Sequence, residues 1–236
     1  MKWQINKKDI VLLAAYLGGD IIIGVDDPYL GWLAEQVEEQ WPRTMQTLIQ
    51  LGVACFDETN ILKINAELDE SIDICCHPKR FISIGIYGDI KKKTTINIGK
   101  GKFVVVDESV DIVSLELQEY SDDSLHMLLS DLLNLPSAAA RFLERTITTD
   151  NTVVSPVQIE SVEKSNADSM ISDMFSDPDM KALIVLGDYG QSGSGIRTFG
   201  IYVKTGRILR LDESNNGSLN MRSVTANDVL AEIMKE

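Results

Sequence analysis

The sequence predicts an α+β protein, and three observations predict it. Short β-branched segments alternate apolar and polar residues between turn residues from Phe81 to Leu117, and a second such block runs from about 182 to 222. Segments with apolar residues at helical spacing stand on either side of both blocks. Strands and helices therefore come in separate runs and not in strict βα alternation, the pattern of α+β packing.

The elements follow in order. Asn6 reads as the N-cap of a helix over 7–17, with Asp9 in its first turn. After the turn Val25-Asp-Asp-Pro28 a longer helix is expected from about Leu30 to Leu51, because Leu30, Leu33, Val37, Trp41, Met45, Leu48 and Leu51 recur at helical spacing. Pro42 kinks or divides it, and Gly52 ends it. Val53 to Asn65 read as a two-stranded wing turning at Glu58-Thr-Asn60, and Glu67 to Cys76 as a short helix stopped by Pro78. Phe81–Tyr87, Lys93–Ile98, Lys102–Val106 and Ile112–Leu117 form an antiparallel meander with turns at Gly88-Asp89, Gly99-Lys-Gly101 and Asp107–Asp111. Ser121-Asp-Asp-Ser124 caps a leucine-rich helix that ends at Pro136.

The second half repeats this plan. A helix is expected from about Ser137 to Ile147, a Thr-rich loop over 148–155, and a weaker helix from about Val162 to Phe175 that stops in Ser176-Asp-Pro-Asp179. Strands are expected at 182–186, 196–203, 207–212 and 218–222, and Thr225-Ala-Asn-Asp228 caps a last helix carrying Val229, Leu230, Ile233 and Met234. Helix, four strands, helix thus occurs twice. The chain reads as one domain, 1–236, with sub-halves of roughly 1–136 and 137–236.

Composition narrows the function classes. With 236 residues, 44% hydrophobic content and a mean hydropathy of −0.01, the chain can bury a sizeable core. A formal charge of −14 and a pI near 4.6 repel a nucleic-acid duplex or an anionic membrane, and no basic stripe beyond Lys91-Lys92-Lys93 compensates. Neither nucleic acid nor a bilayer is expected as a partner, and no segment is long and apolar enough to span a membrane. Lys7-Lys8 followed by Ile10–Leu17 superficially resembles an export signal, yet Asp9 interrupts it and no small-x-small site follows before Asp20. Cys55 and the neighbours Cys75-Cys76 are a poor disulfide framework and suit a reducing compartment. Cys75-Cys76-His77 also lacks zinc-ligand spacing, so these cysteines read as small buried hydrophobes.

The motifs with a chemical reading favour structural roles. Gly187, Gly190, Gly193 and Gly195 fall within nine residues, but no Gly-Lys-Ser/Thr accompanies them and the dinucleotide spacing fails. Ile196–Val203 beyond them alternates like a strand, so the glycines read as a hairpin tip. Asp212, Ser214, Asn216, Gly217 and Leu219 match positions of a calcium loop, but Ser223 stands where a bidentate glutamate is needed. Asn216-Gly217 is moreover a strong hairpin turn. His77 and His126 lie near no recognisable nucleophile, and the scattered carboxylates suit caps and solvated faces. A winged-helix nucleic-acid reader fails too, since 67–76 carries Glu67, Asp69, Glu70 and Asp73 and no cation. No catalytic residue, cofactor or metal is expected.

Taken in order, the landmarks resemble a known family. They are Thr47-Leu-Ile-Gln-Leu-Gly-Val-Ala54, the small wing, the helix closed by His77-Pro78, the meander, and Leu-Asn-Leu-Pro136. Phe199-Gly-Ile-Tyr-Val-Lys-Thr-Gly-Arg-Ile-Leu209 and Val224-Thr-Ala-Asn-Asp-Val-Leu230 complete the set. The chain resembles the EspG family of chaperones associated with type VII (ESX) secretion, as a counterpart from a Gram-positive bacterium outside the mycobacteria. The resemblance implies a central antiparallel sheet flanked by helices in a quasi-twofold arrangement, and a cytosolic, non-enzymatic chaperone. It implies that the chain binds a helical-hairpin export protein, or the helical targeting segment of a secreted toxin, and keeps it soluble. The short Gly99-Lys-Gly101 connection departs from the family, which often elaborates a loop there. From the alternation of 196–203, Ile196, Thr198 and Tyr202 share a more polar face, and these three with Arg210 are the expected partner-binding residues. An immunity protein that neutralises a secreted toxin domain, and an enzyme with an unrecognised site, are the alternatives.

Overall fold

The computed structural model describes residues 1–87, 92–135, 180–188, 195–204, 207–213 and 219–235. The helices expected over 137–147 and 162–175, the turns at Gly88-Asp89 and Asn216-Gly217, and most of the glycine-rich stretch lie outside the described residues. Of the described residues, a first compact unit draws on Met1–Ser83, Lys93–Tyr120 and Gly187–Gly195, and a second on Ile84–Lys92, Ser121–Leu186 and Ile196–Glu236.

The first unit begins with a strand that the sequence reading did not anticipate. β1 (Lys2–Asn6) buries Trp3 and Ile5 alternately and pairs antiparallel with β7 (Ile112–Glu119), Trp3 opposite Leu115 and Ile5 opposite Val113. α1 (Lys7–Tyr16) follows directly, and Asn6 caps it by accepting a 2.9 Å hydrogen bond from the Lys8 amide. The wing is β2 (Ala54–Phe56) against β3 (Leu62–Ile64), turned through Asn60 at φ 60°. α4 (Ala66–Cys76) is capped by Asn65 and buries both Cys75 and Cys76, whereas Cys55 on the wing is exposed. The meander is β4 (Arg80–Ile86), β5 (Lys92–Gly99), β6 (Lys102–Glu108) and β7, in the strand order β1-β7-β6-β5-β4.

The expected helix over Leu30–Leu51 is instead two short ones, α2 (Ala34–Glu38) and α3 (Trp41–Gln50). Gly31 at φ 85° and the extended backbone of Leu33 end any helix before Ala34. Pro42 sits in the first turn of α3, where its missing N–H costs nothing. Of the expected apolar stripe only Leu48 is buried, and Leu30 and Leu33 are 85% and 66% exposed.

α1, α3 and α4 bury one face of this part of the sheet. Ile10, Leu13, Leu48, Leu68 and Ile72 close on Trp3, Ile5, Val104, Val106, Val113 and Leu115. Each such side chain contributes about 1.5–3 kcal/mol when removed from water. A connecting segment, residues 19–26, is packed onto β5 beside the helices. Ile23 donates to Cys75 O at 3.0 Å, the buried Asn97 Nδ2 donates to Ile23 O at 2.9 Å, and the Asp26 amide donates to Glu108 at 2.9 Å.

In the second unit the strand order is β4-β8-β9-β10-β11. Its further strands are β8 (Met180–Asp188), β9 (Arg197–Lys204), β10 (Arg207–Glu213) and β11 (Leu219–Val224), each antiparallel to the next. α5 (Asp122–Leu133), capped by Ser121, packs with α6 (Ala226–Met234) through buried Leu125, Leu129, Leu133, Val229, Leu230 and Ile233. α5 belongs to the same unit as β9–β11. The architecture is α+β, with a large antiparallel sheet flanked by helices.

The start of α6 yields a measurable expectation. Asp228 Oδ2 accepts from the Thr225 amide at 2.8 Å, and Thr225 Oγ1 accepts from the Asp228 amide at 3.1 Å, a reciprocal cap. Thr225→Ala should cost about 1 kcal/mol in urea denaturation. The Thr225 amide and hydroxyl hold the Asp228 carboxyl below its usual pKa. Its stabilisation is therefore complete above the ordinary carboxylate pKa, about 4, and is lost as pH falls through its own lower value. The stability gap between the wild type and Asp228→Asn should accordingly close at acid pH.

Candidate partner-binding face

β9 shows how the second unit presents its two sheet faces. Phe199 and Ile201 point to one side, opposite Ile184 and Ala182 on β8, and the register with β10 puts Asp212 and Arg210 beside them. The Arg210 guanidinium lies 4.2 Å from the centroid of the Phe199 ring and bonds Asp212 through Nε at 2.7 Å. Glu232 on α6 completes the group, accepting from Arg197 at 2.9 Å and lying 3.8 Å from Arg210. Its carboxyl is held below the usual range, first by a hydrogen bond from Lys235 and further by the charges of Arg210, Lys235 and Arg197. These ion pairs place α6 over the Phe199 side. Phe199, Ile201, Ala182 and Ile184 are all buried there.

The opposite side carries Thr198, Gly200 and Tyr202, flanked in register by Val185 and Leu183 on β8 and by Leu209 and Leu211 on β10. Leu183, Val185, Leu209 and Leu211 are only half-buried, and Thr198 and Ser223 are exposed. Tyr202 is the exception, at 4% exposed. Its ring lies over the glycine two residues back, and a Cβ on Gly200 would stand 3.5 Å from it. The same arrangement recurs on β4, where the Tyr87 ring lies 3.5 Å from the corresponding position of Gly85. An aromatic ring folded over a strand glycine restores the packing that the missing side chain forfeits.

The four expected site residues therefore divide. Ile196, just before β9, is 65% exposed, and Thr198 is exposed on the less covered face. Tyr202 shares that face but is buried in it. Arg210 lies on the other face, beneath α6, with its side chain 12% exposed and paired to acids. Grouping Arg210 with Tyr202 is thus corrected: antiparallel partners directly opposite share a face, and Arg210 stands opposite Ile201. The half-exposed leucines were missed, because their alternation is legible in 182–186 and 207–212 but the register that aligns them is not.

Two clefts in the first unit have polar linings. One, of about 290 Å³, is lined by Asp69, Glu70, Asp73, Cys76, His77 and Lys100 among others. Two of its acids are engaged: Asp73 pairs with Lys100, which with His77 holds its carboxyl below the usual range, and Glu70 pairs with Lys102 at 2.8 Å. Burial pushes the Cys76 thiol up to about 11, so at neutral pH it is no thiolate nucleophile. The second, of about 460 Å³, is lined by residues including Lys8, Asp9, Tyr29, Arg43 and Thr44, and there Asp9 accepts from Thr44 Oγ1 at 2.5 Å. Among the described residues no group of three His, Cys, Asp or Glu is placed to hold a metal ion, and no helix is long and apolar enough to cross a membrane.

No family model matches the chain, and no curated protein matches it in sequence. Among solved structures it is similar to the type VII secretion system chaperone EspG5 of Mycobacterium tuberculosis, solved in complex with the PE25–PPE41 dimer. The TM-score is 0.60 at 11% identity, over 99% of this chain and 94% of that one.

Proposed function

We propose that this protein is a chaperone of a type VII secretion system that binds a helical export protein in the cytoplasm and keeps it soluble until export. One observation carries this reading: the likeness to EspG5 covers nearly the whole of both chains and was found with that chaperone in complex with the PE25–PPE41 dimer. The half-exposed side of β8–β11 is the contact surface we assign to this task. Four half-buried aliphatic side chains with Thr198 and Ser223 at hand make an apolar surface with polar trim, the composition of a non-obligate interface. A helical cargo laid there covers the leucines and valine that this side of the sheet leaves partly open.

The test is co-expression of the full chain with helical-hairpin export proteins encoded near it, followed by purification on a tag carried by the partner. A stoichiometric complex, and a partner that aggregates without this chain, support the reading. A partner that stays soluble alone and elutes free of this chain overturns it.

A further inference from the structure

The segment from Leu30 to Glu39 in the first unit is constructed unlike the rest of the described chain. α2, within it, buries no residue at all, although a five-residue helix has little stability of its own and normally depends on packing one face. Leu30, Leu33 and Trp32 are 85%, 66% and 41% exposed, so three large apolar side chains meet solvent within four residues. The segment is nonetheless held in place. Tyr29, buried beside it, meets the Trp32 ring edge-on at 5.4 Å, and Lys8 Nζ lies 4.7 Å from the Trp32 centroid. The Gln36 side chain accepts from the Leu33 amide at 3.0 Å and fixes the entry to α2.

We infer that this ridge is a second docking surface, for a protein segment that carries apolar side chains flanked by lysine or arginine. Charge selects that occupant. Glu35, Glu38 and Glu39 are exposed beside the apolar residues, and residues 30–39 contain no lysine or arginine. A second copy of this chain would set the same glutamates against each other, and an anionic membrane is repelled for the same reason. A basic, apolar segment removes the leucines from water while its cations meet the acidic rim, a complementarity that speeds encounter and discriminates among partners. The ridge shares no residue with the sheet face assigned above, and its assignment does not depend on that one.

The experiment uses the full chain and a fluorescently labelled fourteen-residue Leu–Lys amphipathic helix, with a Leu–Glu helix and a Ser–Lys peptide as controls. The Leu–Lys helix binds and the controls do not. Leu30→Ser/Leu33→Ser weakens that binding tenfold or more without changing the melting temperature, and Glu35→Gln/Glu38→Gln/Glu39→Gln removes most of its salt dependence. Ile196→Glu/Thr198→Glu leaves it unchanged. The inference is overturned if the wild-type protein fails to bind the Leu–Lys helix, or if the serine variant binds it equally. It is overturned equally if the Leu–Glu helix binds as well, or if sedimentation shows a dimer that the serine variant dissociates.

Discussion

Gly24→Ala lowers the stability of the protein by about 2–5 kcal/mol, from strained backbone together with a steric clash. The same change at Gly18 costs about 1–2 kcal/mol, from backbone alone. Both glycines have positive φ, 100° at Gly24 and 88° at Gly18, a region that side chains with a Cβ avoid. They differ in what surrounds them. A Cβ on Gly18 meets nothing within 4 Å, but one on Gly24 falls 2.6 Å from Thr95 Cβ, on a strand that cannot retreat. The 19–26 segment must then lift from β5, which breaks the bonds joining Ile23 to Cys75 and Asn97. Asn97 is fully buried, so losing the bond from its Nδ2 to Ile23 O removes a hydrogen bond from a core amide. Urea denaturation of the two variants measures the difference. Equal losses would show that the contact with Thr95 contributes nothing.

On the proposed function, Ile196→Glu/Thr198→Glu should abolish capture of a helical export partner, with affinity reduced at least a hundredfold, while the melting temperature changes by no more than about 1–2 °C. Both side chains are exposed, so new charges there meet water in the free protein and meet desolvation only when a partner arrives. Tyr202→Glu, although on the same strand face, behaves differently. Tyr202 is buried against Gly200, and a carboxylate in its place costs about 3–5 kcal/mol of folding stability before binding is considered. Calorimetry paired with co-purification separates the two effects. If the double glutamate variant still captures its partner, the sheet face is not the contact surface. If it unfolds, the residues belong to the core.

These contrasts mark how far the residues could be read in advance. The meander, the wing, the capped starts of α1, α5 and α6, and the burial of Cys75 and Cys76 were legible, because alternation, capping side chains and turn glycines act over a few residues. The strand at Lys2–Asn6 escaped because five residues bearing only Trp3 and Ile5 make a weak alternating signal, and its strand character comes from pairing with β7, more than a hundred residues away. The break before Ala34 escaped because an apolar spacing of three and four persists whether or not anything covers it. Leu30 and Leu33 fit a helical stripe that has no core beneath it.

For the candidate site the division is equally physical. One strand's alternation states which of its own residues share a face, and so Thr198 and Tyr202 were correctly paired. Which residues of the neighbouring strands join them depends on register, and register is set by hydrogen bonds between segments distant in sequence. A shift of one residue would move Arg210 to the other side. The sequence by itself determined the class, the type of most elements and the caps at Asn6, Ser121 and Thr225, since these are local preferences of the backbone. Only the tertiary structure decided that Arg210 lies under α6, that Tyr202 is buried and that Leu209 and Leu211 stay half open, because burial depends on what the rest of the chain places nearby.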